Sequence, residues 1–206
     1  MLKVAVTGCA GSGKTSVCNR FKELGVKVIS SDVLAREAVA QDSSAYNKIV
    51  NYFGKKVLTK DGSLNRRKLR RIIINDNIAR EALESFVHPE IIKLMHSQMI
   101  KAEKDGNHVV LVEVPLLFEL GIEDRFDVVI DVIADRKLRV KRLMDRDDVS
   151  REDAEALLNC QLPDEDKARP AEFVIKNDGS FAQMIRSVQH LYKDLVQKYV
   201  KELESA

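Results

Sequence analysis

A chain of 206 residues, 45% hydrophobic and 32% charged, suits one soluble globular domain or one core with a modest insertion, and it is long enough to bury a sizeable core. The formal net charge is +2, from 34 Lys+Arg against 32 Asp+Glu, so no overall field favours nucleic acid or a membrane surface, and any basic function has to be local. The three cysteines (Cys9, Cys18, Cys160) form no CxxC and the four histidines form no HxxxH or HExxH pair, which argues against a disulfide scaffold and a protein-held transition metal; reduced thiols are expected.

Leu2 to Thr7 is a compact apolar run ended by Gly8 and predicts a buried strand. Lys14 to Leu24 has helical spacing, with Val17, Phe21 and Leu24 on one face and Gly25 as the stop. A second short apolar run, Val26 to Ile29, completes strand, glycine loop, helix, strand. That order predicts a parallel sheet with helices on both faces. Residues 32–104 carry almost no strand signal and read as a charge-rich helical insertion. A loop at Asp61-Gly62 interrupts them, and His88-Pro89 signals a fresh helix start, because proline is favoured at the first helical position.

Strands return at His108 to Val114 and Asp127 to Ile133, with PLLFELGIEDRF between them. Asp135 to Asp147 reads as a basic helix and Ser150 to Asn159 as another, with Ser150 as N-cap and Glu152 and Asp153 in the first turn. Phe173 to Lys176 is a short last strand. Phe181 to Leu203 closes the chain as an amphipathic helix, its apolar stripe comprising Phe181, Met184, Ile185, Val188, Leu191, Leu195, Val196 and Tyr199. With no signal-peptide pattern and no run near the ~20 apolar residues of a membrane helix, the cytoplasm is the expected location.

The strongest chemical signal is Gly8-Cys9-Ala10-Gly11-Ser12-Gly13-Lys14-Thr15, a full GxxxxGK(S/T) phosphate loop between a predicted strand and helix. Gly11 and Gly13 let the backbone curl so that successive N–H groups converge on phosphate oxygens. Lys14 supplies a point charge for the β- and γ-phosphates, Thr15 a hydroxyl for Mg²⁺, and the following helix directs its dipole at the anion. Cys9 reads as a space-filling loop residue.

Asp32 follows the second strand, where ligands of doubly wound sheets sit. Three readings stay open: it handles the acceptor hydroxyl's proton, it holds magnesium through water, or it caps the helix beginning near Val33. Arg139, Arg142 and Arg146 fall on one helix face and suit a basic lid over a transferring phosphoryl group, with a solvated salt-bridged helix as the alternative. Glu113, at the end of its strand, is either a Walker-B-like acid near magnesium or a solvated strand-terminal residue. Together these features predict a kinase that uses ATP and magnesium on a small hydroxyl-bearing substrate.

The chain resembles the dephospho-CoA kinase family along nearly its whole length. The resemblance is carried by VTGCAGSGKT, Asp32, Gly62-Ser63-Leu64-Asn65-Arg66 with Leu69, His88-Pro89-Glu90-Ile91, Pro115-Leu116-Leu117-Phe118-Glu119, Arg142-Leu143-Met144-Asp145-Arg146-Asp147, Lys167 and Phe173-Val174-Ile175-Lys176-Asn177. It implies an α/β P-loop NTPase-type three-layer fold with a five-stranded parallel sheet. The core would cover about 1–31, 106–135 and 170–206, a helical acceptor-binding insertion about 32–105, and a lid about 136–169.

It further implies ATP and dephospho-CoA as substrates with Mg²⁺ as cofactor, and phosphorylation of the ribose 3′-hydroxyl. By position, Asp32, Lys14, Arg142 and Arg146 would be catalytic. Gly11, Ser12, Gly13, Lys14, Thr15, Ser16, Arg142 and Asn177 would bind ATP, with Asn177 near adenine. Asp32, Arg66, His88, Pro115, Leu116 and Leu117 would bind the acceptor, although His88 reads equally as a packing residue held by Pro89. Thr15 would reach magnesium through the ATP phosphates. Neither nucleic acid nor membrane is an expected partner, and a monomer or weak homo-oligomer is expected. The chain departs from the family pattern at Ser30, Asn65, Pro170 and Arg139. Another small-molecule or nucleoside monophosphate kinase, or a non-catalytic ATP-binding switch, is the competing reading.

Overall fold

The computed structural model of the chain describes residues 1–159, 161 and 170–195. Five strands, β1 (Leu2–Thr7), β2 (Lys27–Ser30), β3 (Val109–Glu113), β4 (Val128–Ile133) and β5 (Phe173–Lys176), form one all-parallel sheet in the order β2-β3-β1-β4-β5. The helices are α1 (Lys14–Glu23), α2 (Ser31–Ala38), α3 (Ser44–Phe53), α4 (Arg66–Asn75), α5 (Asn77–Lys104), α6 (Arg136–Asp147), α7 (Arg151–Asn159) and α8 (Phe181–Leu195), with 3₁₀ turns at Lys55–Val57 and Glu123–Arg125. The chain divides into two compact units, residues 1–30 with 101–206, and residues 31–100.

In the first unit, one sheet face carries Val4, Val6, Leu111, Val128, Ile130 and Val132, packed against Val17, Cys18 and Phe21 of α1 and Met184, Val188, Leu191 and Leu195 of α8. Alternate strand residues Ala5, Val110, Val112 and Val129 point to the opposite face and are buried too. A sheet buried on both faces explains why these strands read as continuous apolar runs. Connections leave β1 toward β2 and β4 toward β5, so the chain direction switches between adjacent β1 and β4. Ligands of open α/β sheets bind at such a switch, beyond the strands' carboxyl ends, and the phosphate loop lies there.

The second unit packs Ile49, Phe53, Val57, Leu69 and Ala79 into its own core. The Asp61-Gly62 turn is closed by Thr59 and Ser63 hydroxyls donating to the Asp61 carboxylate and by an antiparallel bridge between Leu58 and Leu64. Asn65 caps α4, its Oδ1 accepting from Lys68 N–H at 3.0 Å, so asparagine does there what aspartate would.

Two expectations need correction. His88-Pro89 does not start a helix: α5 runs from Asn77 to Lys104 with Pro89 inside it. Interior proline removes one N–H bond to the carbonyl four residues earlier. Pro89 and Ser85 are both exposed, so water can satisfy that carbonyl. The closing helix buries Met184, Val188, Leu191 and Leu195 as expected, but Phe181 is 69% exposed because it occupies the first position, beyond the edge of the core. Val196, Tyr199 and the rest of that helix's expected end lie outside the described residues, as do Cys160 and residues 162–169 of the expected lid, Lys167 among them.

Candidate active site

The phosphate loop leaves β1 and enters α1 through Gly13, whose φ of 95° is left-handed; a Cβ there would stand 2.2 Å from Asn177 Nδ2. Gly11, at φ 75°, packs on Arg139, and a Cβ there would approach the Arg139 carbonyl oxygen to 2.7 Å. Both glycines are required by backbone conformation and by contact. The α1 ladder begins with Ser16 and Val17 N–H, both donating to the Gly13 carbonyl, so the amides of Gly13 to Thr15 precede it, as anion binding at a helix start requires.

Lys14 is buried, and its ammonium donates to the carbonyls of Gly8 at 2.9 Å and Cys9 at 3.0 Å. The cation thus sits inside the curl of its own loop. Thr15 Oγ1 donates to Glu113 Oε1 at 2.8 Å. Glu113 is buried at the carboxyl end of β3, in register with Val6 and Ser30. It is therefore joined to the loop's hydroxyl and is not a solvated strand end. Burial first, and then the Glu113 carboxylate, push the Cys18 thiol well above its ordinary range against the opposing pull of Lys14. Cys18 stays a protonated packing residue.

The three arginines share a helix but not an environment. Arg139 is buried, with its backbone against Gly11. Arg142 donates to the carbonyls of Gly11 at 3.2 Å, Ser12 at 3.3 Å and Asn177 at 2.9 Å. Arg146 grips Asp147 with two bonds, at 2.8 and 2.7 Å, with its side chain 64% exposed. Arg139 and Arg142 thus meet the phosphate loop, whereas the Arg146 side chain is largely exposed on the same helix.

Asn177 is buried. Its Nδ2 donates to Ser12 O at 2.8 Å and its backbone N–H to Ile133 O at 2.8 Å. Its side chain is thus directed to the phosphate loop, which sequence reasoning did not foresee. Gln161, also unforeseen, accepts from Ala10 N–H through Oε1 at 2.7 Å. Ala10 packs beside Val140, Leu143, Ala154 and Leu158 of the α6–α7 pair. Ser150 caps α7, its Oγ accepting from Asp153 N–H at 3.1 Å.

Asp32 lies in the first turn of α2, exposed, two residues past the end of β2. Its carboxylate makes no hydrogen bond or ion pair with the described residues. A helix-capping bond from its side chain is absent, and α2 starts at Ser31, two residues earlier than that reading required. Arg66 is exposed at the start of α4 and lines a cavity of about 210 Å³ with Val39, Ile49, Leu64, Leu69 and Arg70. His88 is half-buried in α5; burial holds its imidazole below the usual histidine range against the opposing Glu84 charge, which favours the neutral form. Pro115 and Leu116 are half-buried, whereas Leu117 is wholly buried and serves packing. Among the described residues no group of three His, Cys, Asp or Glu could hold a metal ion, and no helix is long and apolar enough to cross a membrane.

Residues 2–183 match the family model for dephospho-CoA kinase. A dephospho-CoA kinase of Bacillus cereus is 37% identical over 191 residues, 93% of this chain and 96% of its own length. Two solved structures align closely. One, of a Thermus thermophilus protein, has TM-score 0.80 and 31% identity, covering 94% of this chain and 97% of that one. The other, a dephospho-CoA kinase from Campylobacter jejuni, has TM-score 0.72 and 31% identity, covering 95% and 97%. The phosphate loop, the parallel sheet and similarity along almost the whole chain converge on one conclusion: this chain belongs to the dephospho-CoA kinase family.

Proposed function

We propose that the chain transfers the terminal phosphoryl group of ATP to the 3′-hydroxyl of the dephospho-CoA ribose, giving coenzyme A and ADP. The observation that carries this is the preassembled phosphate loop at the β1–β4 switch point, in a chain whose family match spans residues 2–183. In this reading the amides of Gly11 and of Gly13 to Thr15 cradle the phosphates, and Lys14, which keeps its bonds to the Gly8 and Cys9 carbonyls, directs its third N–H to the β- and γ-phosphate oxygens as charge shifts between them. Thr15 and Glu113 supply hard oxygen donors that suit Mg²⁺, which is held mainly by substrate phosphates and water, not by a protein cage. When bound, magnesium neutralises charge on the transferring group.

Arg142 acts through the loop's shape, because it holds three backbone carbonyls. Arg146 is proposed for the nucleotide itself: a guanidinium that grips a carboxylate with two parallel bonds can grip phosphate in the same way. Asp32 is proposed to accept or orient the acceptor's ribose proton; the support is its unengaged carboxylate just beyond a strand's carboxyl end. Arg66 and the cavity beside it suit an acceptor with a charged diphosphate, which the guanidinium can meet, and a long arm with aliphatic stretches. A neutral His88 does not supply charge to a phosphate. The cytoplasm is the proposed location.

The test is product formation with magnesium ATP and a panel of acceptors: dephospho-CoA, phosphopantetheine, nucleoside monophosphates, and none. Turnover with dephospho-CoA far above the others is expected. Preferred turnover of a nucleoside monophosphate, or ATP binding with no transfer to any acceptor, overturns the proposal.

A further inference from the structure

Lys14 donates to two carbonyls of its own loop, Gly8 and Cys9. Here the peptide unit that holds it is itself held from behind. A trans peptide directs its C=O and N–H to opposite sides. In the Cys9–Ala10 peptide the carbonyl accepts from Lys14 Nζ at 3.0 Å, and the N–H donates to Gln161 Oε1 at 2.7 Å. The result is a continuous chain: Gln161 carbonyl, Ala10 N–H, Cys9 carbonyl, Lys14 ammonium. Each bond fixes the peptide plane for the next, and in a partly buried setting each polarises its neighbour. The Ala10 methyl packs on the α6–α7 pair, and Gln161 follows two residues after the end of α7, so apolar contact and hydrogen bond hold the same peptide.

We infer that Gln161 is a positioning residue for phosphoryl transfer, setting through the Cys9–Ala10 peptide where the Lys14 ammonium sits. The inference rests on the kinase reading above, but its spectroscopic test requires no acceptor. Gln161→Leu removes the acceptor while keeping an apolar stem. Lys14 stabilises charge that moves during transfer, so the loss belongs in kcat. We expect kcat to fall about tenfold, the rate equivalent of one hydrogen bond, with KM for ATP changed less than about twofold. Gln161→Glu restores an acceptor of the same reach. It should recover kcat to within about threefold of wild type, with its added charge appearing in KM for ATP.

In protein with ¹³C-labelled lysine, the Lys14 ε-methylene resonance of the nucleotide-free protein should shift in Gln161→Leu and shift the opposite way in Gln161→Glu, whose carboxylate polarises the chain more strongly. Wild-type kcat in Gln161→Leu, a kcat loss that glutamate does not rescue, or an unmoved Lys14 resonance in either variant overturns the inference. If Gln161→Leu does not fold, the Gln161→Glu resonance still decides it. Failure of wild-type protein to phosphorylate dephospho-CoA, with the resonances moving as expected, would instead fault the acceptor assignment.

Discussion

Arg142→Ala separates a loop-shaping arginine from one that meets only the nucleotide. The side chain makes three bonds to backbone carbonyls before any ligand arrives, at 3.2, 3.3 and 2.9 Å, tying Gly11 and Ser12 to the segment after β5. A hydrogen bond to a charged donor contributes roughly 1.5–3 kcal/mol at full strength. Two of these are long and the guanidinium is half-buried, so a summed loss of about 2–3 kcal/mol is the appropriate scale. At about 2–4 °C per kcal/mol for a chain of this size, Tm should fall by about 4–12 °C without nucleotide. ATP affinity should fall as well, because the unpinned loop must be ordered on binding. Arg142→Lys should recover less than half of either effect, since a point cation cannot span carbonyls on two segments. The assay is thermal melting with and without ATP, beside isothermal titration of ATP. An alanine variant that melts like wild type in the nucleotide-free state, with its whole defect in turnover, would refute the reasoning.

Gly13→Ala meets both a left-handed φ of 95° and Asn177 Nδ2 at 2.2 Å; a cost of roughly 2–4 kcal/mol should lower Tm and abolish measurable ATP binding by calorimetry. Glu113→Gln keeps an acceptor for Thr15 but removes the charge, so turnover should fall at least about tenfold and its dependence on magnesium concentration should steepen, while Tm changes little. For His88, burial lowers the folded-state value, so the unfolded chain binds the proton more readily and stability rises with pH in this range. Its contribution is present above about pH 6.5 and is lost as pH falls below it. Melting His88→Gln between about pH 5 and 7 should show a flatter Tm profile than wild type.

Much of the architecture was legible because it rests on local periodicity. Continuous apolar runs marked strands buried on both faces, and the glycine-rich octapeptide marked the turn that only small residues can make. The carboxyl-end rule drew attention to Asp32 and Glu113 before any geometry was known. What stayed hidden was tertiary. Arg142, Gln161 and Asn177 reach the loop from 131, 151 and 165 residues away in sequence, through side-chain bonds to backbone groups. Such bonds leave no spacing pattern, so Arg142 read as a lid charge, Asn177 as an adenine neighbour, and Gln161 not at all. Pro89 misled for a different reason: proline's preference for a helix start is real, but an exposed position tolerates the lost bond within a long helix. Lys14 read as a point charge for the phosphates; it also satisfies two buried carbonyls of its own loop, so its removal loosens the loop as well.

The central claim is transfer of a phosphoryl group to one defined oxygen, with Asp32 handling the proton. The most direct measurement follows γ-labelled ATP into product by ³¹P NMR and mass spectrometry, with dephospho-CoA as acceptor, for wild type and Asp32→Asn. Wild type should place the label in a single ribose 3′-phosphomonoester. The variant should make the same product roughly 10²–10⁴-fold more slowly at unchanged ATP affinity, and excess magnesium should not restore the rate. Label appearing only in inorganic phosphate or on another acceptor atom, or a variant as fast as wild type, would contradict the account.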